Sequence, residues 1–433
     1  MRTAGRTLLS NSAWSLLNQG ARVTALGIVT IALSRHFGPQ RFGSLAFGLA
    51  FVRIFAVIAA FGLDRLIVRR LAENPVRAAG ILRGAFRLKL GLALASYLAL
   101  LGLAFLLDPG ERLIVAIVAL AGAGLLCQPF DVFDLRFQSQ NRFRLSFYGR
   151  TVPVLLSTTI KLGALLAGAP LLAFAALETV EAMMVGATLW LLHERSQTPA
   201  TSQPVAAFDW RRSLGEGLPL LLASLAVMVY MRSDVLMLGK MAGFDAAGIY
   251  AAAAQITEAC ALLPLAFAPA LFPILIRWRK LGPRYYKKQF GRLFLGAALA
   301  GFAVSLLLSV AARPIVLLLY GPQYLPAAKV LVIHGWATIF VFLGIVQSGY
   351  DITEGLTWAA TQRATLGALT NIGLNFILIP RYGAAGAAVA TLISYGCSAF
   401  LLNLVRKPTR PVFALQLRAL LLFPFLFRPL RYE

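Results

Sequence analysis

Long apolar stretches, each about as long as a membrane crossing, alternate along the chain with short polar connections. A helix needs about 20 apolar residues to cross a bilayer. Turn-forming motifs separate the stretches, such as FGPQRFG at 37–43, DPGE at 108–111 and PRYG at 380–383. The pattern predicts an all-α polytopic membrane protein with about twelve crossing helices, at residues 11–33, 42–62, 89–107, 112–130, 151–168, 171–192, 214–239, 248–273, 292–311, 327–350, 362–380 and 383–404.

Composition agrees with this interpretation. The 433 residues are 59% hydrophobic and only 13% charged, with a mean hydropathy of +0.76. A soluble protein of this length could not bury so much apolar surface. The net charge of +24 would suggest nucleic acid as a partner of a soluble protein. Here the basic residues lie in connections between apolar stretches, so the sequence predicts a membrane protein and no nucleic-acid partner.

The distribution of basic residues predicts the orientation. The N-terminus, the even-numbered connections and the C-terminal tail carry 30 lysines and arginines, and the odd-numbered connections carry seven. Cytoplasmic connections are the basic ones, so both termini are predicted to be cytoplasmic. The two large basic connections, 63–89 and 277–292, would then face anionic lipid headgroups, chiefly as determinants of topology.

The two halves of the chain contain a weak internal repeat. LSRHFGPQRFGSLAFGLA at 33–50 matches LGKMAGFDAAGIYAAAAQ at 238–255, and the offset of 205 places Gly38 on Gly243. The repeat predicts parallel six-helix lobes at 1–192 and 214–404, a linker at 193–213 and an interfacial tail at 405–433. Parallel repeats are typical of secondary transporters, in which the substrate site lies between the halves.

Charged residues inside predicted helices are candidates for function because each is costly in hydrocarbon. Arg22 and Arg53 lie at equal distances from the 37–43 turn, about 23 Å along their helices. Two cations at one depth, with no acidic partner in their own helices, favour an anion site. The structural alternative is that both side chains reach back to cytoplasmic headgroups.

Lys161 and Glu178 flank another turn symmetrically and are predicted to form a structural ion pair. Glu181, one turn beyond Glu178, has no obvious partner and is a weaker candidate for a proton site. Glu258 falls at the repeat position of Arg53 and is a candidate for ion coupling.

Arg232 and Asp234 lie two residues apart and so point to different faces of one helix. Arg232 is a candidate for binding an anionic headgroup, and Asp234 is a second candidate for ion coupling. His334 is interpreted as a hydrogen-bonded core histidine. Polar amides at helical spacings are expected to line a wet interior or to join helices, namely Asn11, Asn18, Gln19, Gln255, Asn371 and Asn375.

Several chemistries find no support in the sequence. It has no phosphate-binding glycine loop with Lys-Ser, no metal-ligand spacing and no cofactor motif. The three cysteines, Cys127, Cys260 and Cys397, are interpreted as buried free thiols. A membrane-embedded sugar transferase remains an alternative, although such enzymes usually need acidic residues in a sizeable external loop.

Four segments carry a resemblance to a known family. They are LSRHFGPQRFGSLAFGLAF, SDVLMLGKMAGFDAAGIYAAAAQI, LLLYGPQYLPAAKVL and LTNIGLNFILIPRYGAAGAAVATLIS, in that order. Over about residues 8–405 the chain resembles the oligosaccharide flippases of the MOP superfamily. The last segment is the most specific, and it is shared with the peptidoglycan-precursor flippases.

The resemblance implies two six-helix lobes around a central cavity, with alternating access and no change in any chemical bond. It implies that the chain moves an undecaprenyl-pyrophosphate-linked oligosaccharide across the bacterial inner membrane for surface polysaccharide such as the O-antigen of lipopolysaccharide, with a polysaccharide polymerase as a possible partner. It also implies that Arg22 and Arg53 grip the pyrophosphate. Multidrug exporters of the same superfamily are the alternative, although they usually carry carboxylates in the first two helices, where this chain has none.

Overall fold

The structure is a computed structural model. It describes the backbone of residues 2–107, 110–196 and 208–421, and the side chains of residues 20–106, 110–196, 208–265, 271 and 274–421. Within these ranges every regular element is a helix. The prediction of an all-α polytopic membrane protein is confirmed.

The described helices fall into two compact units. The first unit contains Met1–Phe37 and Arg41–Arg232, and the second contains Gly38–Gln40 and Ser233–Glu433. The division falls inside the helix Trp210–Met241, so the lobe boundaries at 192 and 214 stay a prediction. Residues 197–207 of the predicted linker lie outside the described part.

The helices are α1 (Arg2–Ala60), α2 (Leu63–Glu73), α3 (Ala78–Leu107), α4 (Arg112–Gly122), α5 (Asp131–Ser139), α6 (Phe143–Leu166), α7 (Leu171–Arg195), α8 (Trp210–Met241), α9 (Phe244–Cys260), α10 (Leu262–Lys280), α11 (Pro283–Leu319), α12 (Pro326–Gly335), α13 (Ala337–Glu354), α14 (Thr357–Ala399) and α15 (Arg410–Leu421).

Nine described segments are long and apolar enough to cross a membrane. Two of them, Gly20–Glu73 and Thr357–Leu404, have 54 and 48 residues, about twice the length of one crossing. The backbone of each leaves helical geometry at one glycine, Gly38 in α1 and Gly383 in α14. The predicted turns at 37–43 and 380–383 lie at these kinks.

The predicted fifth crossing corresponds to α6, which has 24 residues but is not among those nine segments. Arg144, Arg150 and Lys161 lower its hydropathy. The last two of these cations are paired with acids of neighbouring helices in the first unit. Such pairing lowers the cost of holding charge in an apolar environment.

Three predicted helices are divided in the structure. Residues 123–130 form a 3-10 segment between α4 and α5, and Pro129 lies within it. The helix predicted at 248–273 breaks after Cys260, because Pro264 has no N–H to donate to the Cys260 carbonyl. The helix predicted at 327–350 breaks after Gly335, whose carbonyl accepts hydrogen bonds from Ser305 and Thr338.

The connection predicted at 63–89 is largely helical. One face of α2 carries Leu63, Ile67 and Leu71, which are buried against α3 and α5 in the first unit. The opposite face is charged and includes the ion pair between Arg69 and Glu73. The pattern predicted the basic character of this segment but not its amphipathic helix.

The described part of the predicted tail is helix α15. Val412 and Leu415 are buried against Phe290 and other core residues of the second unit. Gln416 is fully buried and accepts a hydrogen bond from Asn403. A helix of 12 residues is about 18 Å long, too short to cross a bilayer. Residues 422–433 lie outside the described part.

Candidate transport site

Gly243, which lies between α8 and α9, is the repeat counterpart of Gly38 at the kink in α1, and the two glycines have similar backbone dihedral angles. Gly38 has φ 74° and ψ 172°, and Gly243 has φ 89° and ψ 164°. This region of backbone space is accessible essentially only to glycine. The two glycines therefore give the local repeat a structural basis, and they set the depth of the side chains on either side.

In the first unit, α1 places Arg22 and Arg53 sixteen and fifteen residues from Gly38. The Arg22 side chain is exposed, and that of Arg53 is half-buried. The charged groups that act on Arg22 include Arg150, Glu181, Asp131 and Asp134. The acidic groups that act on Arg22 come from α5 and α7 and not from the two predicted helices that carry Arg22 and Arg53.

Lys161 lies between two carboxylates of α7. Its Nζ donates to Glu178 Oε1 at 2.6 Å and to Glu181 Oε2 at 2.8 Å. The Lys161 side chain is only 5% exposed. Glu181 was expected to lack a partner, and that expectation was wrong. Since Glu178 and Glu181 are three residues apart on α7, both face the same side of the helix and reach one ammonium group.

A second ion cluster in the first unit was not predicted. Arg150 of α6 donates to Asp131 Oδ1 at 2.8 Å and to Asp134 Oδ2 at 2.6 Å. Gln138 donates to Asp134 as well, at 2.9 Å. The turn between α5 and α6 lies between Asp134 and Arg150 at similar distances. The symmetry argument that placed Lys161 opposite Glu178 would have found this pair too.

The second unit holds a different kind of network, centred on Asp234 of α8. Asp234 is buried. Tyr250 of α9 donates to its carboxylate at 2.5 Å, Asn375 of α14 at 2.6 Å and Thr391 of α14 at 2.7 Å. Among the described residues, the carboxylate has three neutral donors and no ion pair with a lysine or an arginine.

Two bent hairpins bring these donors to one depth. Asp234 and Tyr250 lie nine residues before and seven residues after Gly243. Asn375 and Thr391 lie eight residues on either side of Gly383. At about 1.5 Å per residue, all four side chains are about 11–14 Å from their turns. Because the four distances are similar, these side chains are expected to lie at the same depth once the positions of the two turns are known.

Polar groups next to the carboxylate extend the network. Asn371 Oδ1 accepts from Ser233 at 2.8 Å and from Asn375 at 3.1 Å. Asn375 Oδ1 is buried and has no hydrogen-bond partner among the described residues. Asp234 and Asn375 thus present carboxylate and amide oxygens close together, the ligand type that small hard cations prefer.

The remaining candidate residues differ in burial and in contacts. His334 is buried, and its Nδ1 is 2.8 Å from Thr257 Oγ1. Gln255, Glu258 and Arg232 are half-buried. The side chains of Asn11, Asn18 and Gln19 lie outside the described residues. The three cysteines are free but only partly buried, contrary to expectation. No cluster of three or more metal-ligating His, Cys, Asp or Glu side chains occurs within the described ranges.

These features define the class as a multi-pass all-α membrane protein with polar networks buried inside each helical unit. The polysaccharide biosynthesis protein family matches residues 8–278, which is more than half of the sequence. The chain therefore belongs to the polysaccharide biosynthesis protein family.

Known proteins extend the likeness over nearly the whole chain. The chain is 26% identical to the probable flippase AglR of Haloferax volcanii over 404 residues, covering 88% of this chain and 80% of that protein. Its fold resembles an inward-facing multidrug resistance MATE family transporter of the MOP superfamily, with a TM-score of 0.74, 14% identity and coverage of 92% and 95%. It also resembles the lipid II flippase MurJ in an inward closed conformation, with a TM-score of 0.64, 13% identity and coverage of 97% and 94%. The predicted relationship to oligosaccharide flippases agrees with the family match and with AglR, and the fold is that of the two solved transporters.

Proposed function

We propose that this protein is a flippase that moves an undecaprenyl-pyrophosphate-linked oligosaccharide from the cytoplasmic to the outer leaflet of the bacterial inner membrane. The glycan would serve a surface polysaccharide such as O-antigen. Membership of the polysaccharide biosynthesis protein family supports this substrate class, and the relative AglR supports the activity. Both termini would be cytoplasmic, and a polysaccharide polymerase would take up the product. The reaction breaks no chemical bond, so the protein would be a transporter rather than an enzyme.

The observation that carries the proposal is the exposed arginine in a membrane helix. Arg22 lies in the crossing segment Gly20–Glu73 and is nevertheless exposed. A guanidinium group binds phosphate oxygens in a bidentate manner and keeps its charge at every relevant pH. Arg53, at the same distance from Gly38, and Arg232 of α8 are proposed to contact the same headgroup.

The charge balance of the first unit supports reversible binding. Lys161 and Arg150 each contact two carboxylates, so each cluster carries one surplus negative charge. Glu181, Asp131 and Asp134 attract Arg22 electrostatically. A pyrophosphate would compete with these carboxylates for the arginine. Such competition limits the affinity and favours release after transport, as any carrier requires.

The experiment measures export of the lipid-linked glycan in a strain that depends on this protein. Arg22→Ala should reduce export at least about tenfold, because a charge-assisted contact with phosphate is lost. Arg22→Lys should restore part of the activity, since a lysine keeps the charge but not the bidentate geometry. Arg112→Ala, at an exposed position at the start of α4, is the matched control and should export normally. Normal export by Arg22→Ala, at normal protein levels, would contradict the proposal.

Coupling to an ion gradient is proposed at Asp234. A carboxylate buried among neutral donors is stabilised by their hydrogen bonds but keeps its negative charge, which a proton or a cation can neutralise. Asp234 is in this situation, with Tyr250, Asn375 and Thr391 as its donors. Glu258, the other candidate, is half-buried. The contacts favour Asp234 as the residue that takes up and releases the coupling cation.

A further inference from the structure

A pocket in the second unit shares no residue with the Asp234 network. Its volume is about 390 Å³, and its lining includes Arg279, Tyr286, Lys287, Tyr350, Glu354 and Leu415. These residues come from the end of α10, the start of α11, the end of α13 and from α15. The pocket thus lies at the basic connection between α10 and α11.

The cations of this pocket are only partly neutralised by protein groups. Arg279 Nη1 donates to the Thr353 carbonyl, and its Nη2 is 3.5 Å from Glu354 Oε2. Lys287 is exposed and has no ion-pair partner among the described residues. Two cations and one carboxylate leave the pocket with one net positive charge. A phosphodiester group carries one negative charge.

Two tyrosine hydroxyl groups supply hydrogen-bond donors in addition to the positive charge of Arg279 and Lys287. Tyr286 is buried, and its hydroxyl has no hydrogen-bond partner of good geometry in the described part, although it lies near Glu354 and Thr353. Tyr350 is half-buried beside it, with ring centroids 5.9 Å apart. Arginine, lysine and tyrosine together are donors that bind phosphate oxygens.

The surroundings indicate a lipid as the source of the phosphate. The connection 277–292 has seven lysines and arginines and no acidic residue. It also exposes Leu281, 66% accessible, and Tyr285, 41% accessible. Basic residues draw a segment to an anionic membrane surface, and exposed apolar and aromatic side chains suit the headgroup region.

A pocket in the first unit provides a contrast. It is lined by Arg69, Arg70, Arg77 and Arg212 among others. Three of these arginines are already paired with carboxylates, at 2.7–3.0 Å. A phosphate would have to displace those carboxylates, so the first pocket is a poorer anion site than the second.

We propose that the pocket formed by Arg279, Lys287, Tyr286 and Tyr350 binds the phosphate group of an anionic phospholipid. Leu415 of α15 forms part of the wall, so a bound lipid also holds α15 in its docked position. This site shares no residue with the proposed transport site, and it does not depend on the identity of the transported glycan.

The test uses the purified full-length protein in detergent and measures retention of short-chain phosphatidylglycerol by native mass spectrometry. Wild-type protein should retain phosphatidylglycerol in preference to phosphatidylcholine. Lys287→Glu should weaken retention about tenfold, since it replaces a charge-assisted contact with a repulsive one. Tyr350→Phe should weaken it by a smaller factor. Inorganic phosphate is the competitor that distinguishes a lipid from a free anion.

Lys280→Glu is the matched control, because it makes the same charge reversal in the same connection at an exposed lysine outside the pocket. It should retain phosphatidylglycerol nearly as well as wild type does. Equal losses for Lys280→Glu and Lys287→Glu would show diffuse surface attraction and overturn the proposal. It would also be overturned by equal retention of phosphatidylcholine, or by competition from inorganic phosphate at concentrations as low as those of the lipid. Unchanged thermal unfolding of both variants would show that each one folds.

Discussion

Buried charge is neutralised in different ways at the first-unit clusters of Lys161 and Arg150 and at Asp234 in the second unit, which also contains a buried ion pair between Arg363 and Asp351. In the first unit, Lys161 and Arg150 are each held by two carboxylates within 2.8 Å. In the second unit, Asp234 is held by three neutral donors. A buried ion pair already contains its counterion, so it is fixed in one charge state. A carboxylate surrounded by hydroxyl and amide donors has no protein counterion, so a proton or a cation from solution can neutralise it.

This difference separates structural from exchangeable charge. Paired clusters lower the cost of keeping polar helices together in the membrane, and their loss should appear first as lost stability. The Asp234 network should respond chiefly in transport, because Asn keeps one acceptor oxygen for Asn375, and the hydroxyl groups of Tyr250 and Thr391 can reorient to accept from its amide. Four tests examine this contrast, beginning with the largest expected effect.

The largest effect should come from Lys161→Met in the first unit. It leaves Glu178 and Glu181 facing each other without their shared cation, which should destabilise the protein by about 3–5 kcal/mol. Equilibrium unfolding in mixed detergent micelles measures the change. Adding Glu178→Gln and Glu181→Gln should recover most of the loss. A failure of the triple variant to recover would show that packing around Lys161, rather than charge, is decisive.

Asp234→Asn should abolish transport driven by an ion gradient, a loss of about a hundredfold, with a stability change below about 2 kcal/mol. Proteoliposomes with a pH gradient, a sodium gradient and a membrane potential imposed separately identify the coupling cation. Glu258→Gln is the comparison, and it should keep its dependence on the gradient. If Asp234→Asn keeps full gradient dependence and Glu258→Gln loses it, the assignment passes to Glu258.

Within the Arg150 cluster, the two aspartates should differ. The side chain of Asp134 is 1% exposed, whereas that of Asp131 is 26% exposed. Asp134→Asn should therefore cost about 2 kcal/mol and Asp131→Asn about 0.5 kcal/mol. The same unfolding experiment measures both. Equal costs would mean that burial does not control the strength of these pairs.

The last test concerns the backbone conformation that Gly38 and Gly243 share. Gly243→Ala adds a Cβ with no atom within 4 Å, so its cost should be conformational strain alone, about 1–3 kcal/mol. Gly38→Ala should cost a similar amount. Gly27→Ala, in regular helix with open space around it, should be neutral or slightly stabilising. A tolerated Gly243→Ala would weaken the case for a local repeat.

The sequence alone predicted the features that depend on one-dimensional patterns. Apolar length predicted most of the crossings, and turn motifs predicted the kinks at Gly38 and Gly383. Symmetric spacing about a turn predicted the partnership of Lys161 and Glu178. The repeat also predicted that Gly38 and Gly243 are equivalent, and their shared backbone geometry agrees. These features are local, because helix periodicity and glycine conformation act over a few residues.

Tertiary structure alone decided which polar groups meet across distant segments. Asp234 and Thr391 are 157 residues apart, and their hydrogen bond exists because Gly383 bends α14 back towards the same depth. Spacing about the turn between α5 and α6 could have paired Arg150 with Asp134, but only the packing of α5 against α6 shows that Asp131 shares the same arginine. Single-sequence patterns give the depth of a side chain along its helix. They do not give the rotation of that helix or the identity of its neighbours, and these two quantities determine whether a buried charge is paired.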